Sequence, residues 1–351
     1  MSKRSAIGFV AAGLGIVLVW SLAPASWNAS AWAQEEEAAG AGVLYPVEKG
    51  GKWGYIDASG QLVAKLEYAW AGPFSQGLAP VRAMEGGRIQ IKAGVGYVNS
   101  AGRMVITPKF DQGGSFVGGL APVQMGGKWG YSDPQGKIVI APQFDSVGSF
   151  SGKLAPVRVG RVFHYIDKTG QSPSRTVYSQ ANDFSEGVAL VMLGKEWRFI
   201  DEESRTIIRL NVQQAGSFSQ GLAAVMLQGK WGYINKSGAY AIKPQFDGAE
   251  PFSEGLAMIT QAGKKGFVGL DGQMVIKPEL AMCGSFSSGL APVMSEGKWG
   301  FINKTGAIAV AAQYEAVTAF KGPLAAVYPS ENQMLYINTE GKVVWPGQTS
   351  E

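Results

Sequence analysis

Cysteine and histidine are almost missing from this chain of 351 residues, which has one of each. A lone Cys283 cannot close an internal disulfide. A lone His164 leaves no pair for a zinc site and no partner for a Cys–His or Ser–His–Asp group. Charge is also scarce, at 17% of residues with a formal net charge of +4. That balance offers no basic footprint for nucleic acid. Long hydrophobic runs are missing after the first 20 residues, so no later stretch could cross a membrane as a helix of about 20 residues. Sustained i, i+3, i+4, i+7 apolar spacing is missing as well, which argues against helices.

The one apolar run lies at the start. Lys3 and Arg4 precede an uncharged stretch from Ala6 to Trp20. Ala31-Trp32-Ala33 before Gln34 fits the small-x-small cleavage rule of an export signal. An uncleaved anchor is the alternative. No cysteine follows the run, so a lipoprotein is not expected. The expected layout is a signal at 1–33, a flexible acidic leader at 34–43 with Glu35-Glu36-Glu37, a β domain at 44–346 and a tail at 347–351. The expected location is periplasmic or extracellular, with no stable membrane span after cleavage.

A repeated element fills the rest. Gly229-Lys230-Trp231-Gly232-Tyr233-Ile234-Asn235 recurs from Gly51 with Trp53, Gly54 and Tyr55, from Gly127 with Trp129, Gly130 and Tyr131, and from Gly297 with Trp299, Gly300 and Phe301. Weaker copies complete an aromatic series at Tyr55, Tyr97, Tyr131, Tyr165, Phe199, Tyr233, Phe267, Phe301 and Tyr336. From Tyr97 to Phe301 the period is 34 residues. These nine copies define units one to nine, and a fixed period of this size means a repeat architecture.

Each unit carries three short apolar stretches separated by turn residues, which is a strand signature. The first reads Leu-Ala-Pro-Val, the second Trp-Gly-Tyr-Ile and the third Val-Ile-x-Pro. Proline cannot donate to a ladder, and the middle stretch has none, so the middle strand is the centre of a three-stranded meander. Alternation puts Tyr233 and Ile234 on opposite faces, so this strand is buried on both sides. Gly232 leaves room for close approach of another backbone or ring. A fourth short strand fits in the linker, whose phenylalanine recurs at Phe74, Phe116, Phe150, Phe184, Phe218, Phe252, Phe286 and Phe320.

These motifs resemble the WG-repeat family, also called KWG repeats. The resemblance runs from about Leu44 to Trp345. The family is largely bacterial, varies in repeat number and implies no reaction. His164, Arg198 and Leu335 depart from the motif Gly, and Val95, Phe163, Lys265 and Met334 from the motif Trp. The chain begins on a first-strand sequence and stops after a third-strand sequence, so no unit is split. Propellers often split one and usually have four to eight blades. The expectation is therefore all-β tandem meanders in an open, stacked array, with a β-propeller as the alternative.

Most site candidates have a structural explanation. Counterparts of Cys283 in other units are small or apolar, which makes it a small core residue. Asp57, Asn99, Asp133, Asp167, Asp201, Asn235, Asn303 and Asn338 recur at one turn position and lack the oxygen density of a calcium loop. Lys52, Lys128, Lys230, Lys264 and Lys298 precede the Trp position and read as solvated hairpin-turn residues; the alternative is a rim, in a stacked array, that could attract an anionic polymer or lipid head groups. An insertion within Arg82–Val95 reads first as a tolerated extension of the hairpin, and it supplies Arg82, Arg88 and Lys92 as candidate partner-binding residues. No catalytic residue, metal or cofactor is assigned. The expected function is an exported, monomeric, non-enzymatic scaffold for a protein or envelope polymer. The alternatives are a carbohydrate-active or other propeller-type enzyme, using acids such as Glu85, Asp183, Glu186 and Glu202, and a structural surface protein without a ligand.

Overall fold

The computed structural model describes residues 43–84 and 94–346. All described regular structure is β. Eight hydrogen-bonded sheets are arranged as a β-propeller. The first sheet has six strands: β1 (Tyr45–Lys49), β2 (Lys52–Ile56), β3 (Leu62–Ala71), β4 (Leu78–Ala83), β5 (Val95–Asn99) and β6 (Met104–Phe110). It holds two units, because β3 pairs with β2 through Tyr68 and then with β4 through Ala71. Nine repeat units are thus carried on eight sheets.

Unit six represents the others. A short strand within Gln214–Ser219 begins the sheet, followed in order by Leu222–Leu227, Lys230–Asn235 and Tyr240–Phe246. The middle strand is indeed central. Tyr233 and Ile234 are both buried, whereas Trp231 is half-buried. The turn from second to third strand is held by Asn235, whose Oδ1 accepts the amides of Ser237 and Ala239. Gly238 closes it at φ +83°, a conformation that suits glycine.

Units dock by a repeated handshake. The Tyr233 hydroxyl donates to the Glu250 carbonyl in the next linker at 2.7 Å, and its ring packs on Phe252 at 4.8 Å between centroids. Ser219 Oγ donates to the Phe252 carbonyl at 2.7 Å. Such an aromatic pair contributes about 0.5–1.5 kcal/mol beyond its burial.

The open stacked array is corrected by the same contacts, because they also join the two ends. Tyr336 of unit nine donates to the Pro46 carbonyl of unit one at 2.9 Å. Gly60 abuts Val344 just as Gly272 abuts Ile242. A core cluster unites Tyr45, Val47 and Ile56 with Leu324, Tyr336 and Trp345. Intact units at both ends therefore do not prevent closure. The residue that makes it work is Tyr45, which stands where other first strands have alanine, as at Ala79, Ala257 and Ala291. Where Phe252 packs on Tyr233, Tyr45 packs on Tyr336 at 5.6 Å. Its hydroxyl donates to the Lys321 carbonyl at 2.8 Å.

Candidate functional site

The Trp-Gly-Tyr element is explained by packing. In unit six Tyr233 pairs with Ile242, but Trp231 pairs with Phe246. The third strand therefore carries two extra residues in a bulge. The bulge crosses directly over Gly232, where an added Cβ would lie 2.4 Å from the Ile242 carbonyl oxygen. The same contact is 2.6 Å at Gly54, 2.3 Å at Gly130 and 2.5 Å at Gly300. Backbone that close leaves space for hydrogen alone. Tyr55, Tyr131 and Phe301 are fully buried beside these glycines, while Trp53, Trp129 and Trp299 are half-buried.

The three departures from glycine follow the same rule. In unit five the second and third strands stay in register from Trp197–Leu210 through Arg198–Arg209 to Phe199–Ile208. No bulge passes over Arg198, so a long side chain fits. In unit four no strand runs through residues 171–177, and only the Phe163–Tyr178 bridge remains beyond His164. In unit nine the third strand is Val343–Trp345, and its Trp345 end pairs with Tyr336, so the strand never reaches Leu335.

His164 packs on the preceding unit, and the Arg198 charge acts on Tyr178 of the unit before its own, opposing the rise that burial gives the Tyr178 pKa. The His164 ring meets Phe144 edge-on at 6.4 Å, and burial lowers its pKa. Arg198 donates to Glu196 at 2.7 Å. Among the described residues, the buried side-chain atoms Tyr178 Oη, Arg198 Nε and Ser204 Oγ have no hydrogen-bond partner. Cys283 lies 3.2 Å from the sulfur of Met258, and burial pushes its thiol up to about 12. It is half-buried and packs against the core cluster that contains Met258 and Val293.

The lysine rim is largely neutralised. Lys128 pairs with Asp145 at 2.6 Å, Lys230 with Asp247 at 2.5 Å and Lys298 with Glu315 at 2.5 Å. Lys52 and Lys264 have alanine, Ala69 and Ala281, at the matching acid position. The Asx ladder is occupied by amides: Asp57 Oδ1 accepts Ser59 and Gln61, and Asp167 Oδ1 accepts Thr169 and Gln171. Hydrogen bonds from the Ser59 and Thr169 hydroxyls hold these two carboxyls below their usual range.

The insertion sits on the β4–β5 hairpin, whose last stem pair is Arg82–Val95. Arg82 donates to the Asp111 carbonyl at 2.9 Å and so ties unit two to the linker of unit three. Arg88, Lys92 and Glu85 lie outside the described residues. Of the remaining acids, Asp183 and Glu202 converge on one turn of unit four. Asp183 accepts Ser149 N at 3.0 Å, and Glu202 accepts Lys153 N at 2.9 Å. Burial pushes the Asp183 carboxyl up to about 6, against the Ser149 bond. Glu186 accepts Gly221 N and pairs with Lys236 at 3.2 Å. Glu250 escaped the sequence reading. Burial raises its pKa, with Lys265 opposing, and only its place in a linker hinted at this.

A family model described as WG containing repeat matches residues 53–86, 96–129, 129–161, 165–197, 197–231, 231–264, 266–299 and 299–328. No curated protein matches the sequence. Among solved structures, one titled as the eukaryotic initiation factor is similar at 12% identity and a TM-score of 0.59, covering 86% of this chain and 95% of that one. A dihydro-heme d1 dehydrogenase, NirN, reaches 13% identity and 0.47, over 71% and 69% of the two chains. PorZ, a type-IX secretion component of Porphyromonas gingivalis, reaches 11% and 0.33, over 86% and 52%. At these identities only the first likeness bears on this chain, and it concerns the fold alone. With eight successive matches spanning most of its length, the chain belongs to the WG-containing repeat family.

Proposed function

We propose that this protein is an exported, non-enzymatic repeat scaffold that binds a protein or cell-envelope partner. One observation carries the reading: the periodic groups are spent inside the ring. The tyrosine hydroxyls, linker serines, turn Asx side chains and three rim lysines all bond within the protein. A ring built this way offers a broad rim and two faces for association. Export is supported by Lys3, Arg4 and the apolar run that follows.

The enzymatic alternative has one feature in its favour, the convergence of Asp183 and Glu202 on a single turn. Each carboxylate already accepts a backbone amide, and Glu202 also pairs with Lys153 at 3.2 Å. The test is capture from envelope extract with the immobilised protein, beside a glycoside-hydrolysis screen. Specific recovery of a partner without turnover is the expected result. Turnover abolished by Asp183→Asn would overturn the reading.

A further inference from the structure

The third strands hold a charge pattern that the rim lysines obscure. One position of the 34-residue period reads Arg175, Arg209, Lys243 and Lys277 in units four to seven; in units five to seven it lies on the third strand, and in unit four it lies in the segment 171–177, which carries no strand. All four are exposed. None takes part in an ion pair or side-chain hydrogen bond among the described residues, unlike Lys128, Lys230 and Lys298. The position is not basic all round: it is Thr107 in unit two, Ala141 in unit three and Ala311 in unit eight, with Lys65 standing apart in unit one.

Four unpaired cations in consecutive units make a basic arc on one side of the ring. Glu279 follows Lys277 on the same strand, whereas Asp201 and Glu203 are both taken by Arg205.

We propose that this arc is a docking surface for a linear anionic polysaccharide, which identifies the envelope partner on the scaffold reading above. Two features favour a polymer over a peptide strand. The cations recur once per repeat, as charge recurs along a polymer of repeating units. Pro244 and Pro278 directly follow Lys243 and Lys277 at the bulges, and a proline offers no amide for strand addition. The partner is therefore held by side-chain charge, in a salt-dependent manner.

The test compares three full-length proteins on immobilised heparin and polygalacturonate, with poly-L-glutamate as a third matrix. They are the parent, the arc variant Arg175→Gln/Arg209→Gln/Lys243→Gln/Lys277→Gln, and the turn variant Lys128→Gln/Lys230→Gln/Lys298→Gln. The parent is expected to bind at least one polysaccharide. The arc variant should lose about tenfold or more in affinity at low salt and show a shallower salt dependence, while the turn variant binds like the parent. Thermal melts of all three check that the ring is intact, since exposed substitutions leave it folded. Absence of parental binding overturns the proposal, as does equal loss in the turn variant. Tighter parental binding to poly-L-glutamate overturns it too and assigns the arc to an acidic protein. Partner capture from extract that is unaffected in the arc variant sinks the arc but leaves the scaffold reading standing. Arc-dependent heparin binding with no capture from extract does the reverse.

Discussion

Units five and six are adjacent and have the same length between their motif aromatics, yet they solve the third strand differently. Unit six runs a bulge over Gly232, and the strand reaches the next unit at Phe246, 15 residues after Trp231. Unit five has no bulge over Arg198, which occupies the glycine position, and its strand reaches the matching place at Leu210. The two residues saved are spent in the stretch before Phe218, so the period survives. The motif glycine is therefore tied to the bulge and not to the repeat as such. Where the bulge goes, the glycine becomes free to change, and the chain acquires side chains such as His164 and Arg198 that its other units do not have.

Exchanging the residues tests this most severely. Gly232→Arg places a side chain where even a Cβ meets the Ile242 carbonyl, and we expect a loss of at least about 4 kcal/mol, or no folding. Arg198→Gly in unit five should cost less than about 1 kcal/mol, the ordinary cost of glycine in a strand. Urea midpoints of the two proteins report the contrast, and similar losses would break it.

The seam offers the next largest effect. Tyr45→Ala removes the ring that packs on Tyr336, and deleting a buried aromatic costs about 3–5 kcal/mol. Ala257→Gly, at the matching place in unit seven, should be far milder. An equal drop in the two would mean that Tyr45 has no special part in closure.

Asp183 distinguishes unit five by pH. Its folded pKa of about 6 lies above the usual carboxylate value, so the folded state holds the proton more tightly. Stability from this group is present below about pH 4 and is lost as pH rises through 6, by about 2–3 kcal/mol. His164, with a lowered pKa, works in the opposite direction over part of that window. The comparison is therefore parent against Asp183→Asn. The variant should gain stability relative to the parent between pH 4 and 6.5, and a constant difference would contradict the assignment. The smallest effect belongs to the regular rim: Lys230→Gln breaks an exposed pair and should change stability by less than about 1 kcal/mol in urea melts.

Much of this was legible in the residues. Period, strand order, the central place of the middle strand and the turn role of Asn235 all follow from local chemistry repeated nine times. The close approach at Gly232 was readable too, but the partner was not, because a two-residue bulge changes register without changing the alternation that a sequence displays. Closure was misjudged for a related reason. It depends on Tyr45 meeting Tyr336, a contact between chain ends, and the first unit's Tyr in place of Ala is its only trace in the sequence. The ion pairs of the rim lysines are not legible in the sequence, because their acids sit 17 residues downstream, across the unit, and meet them only once the strands are folded. The series Arg175, Arg209, Lys243 and Lys277 is inconspicuous in the sequence because its cations are spread at one per period.

Small-angle scattering of the purified protein tests the closed ring most directly. A compact body of this size has a radius of gyration of about 20 Å. Nine units stacked at about 10 Å each would form a rod near 90 Å long, with a radius of gyration of about 26 Å or more. The account predicts the lower value, and the higher one would contradict it.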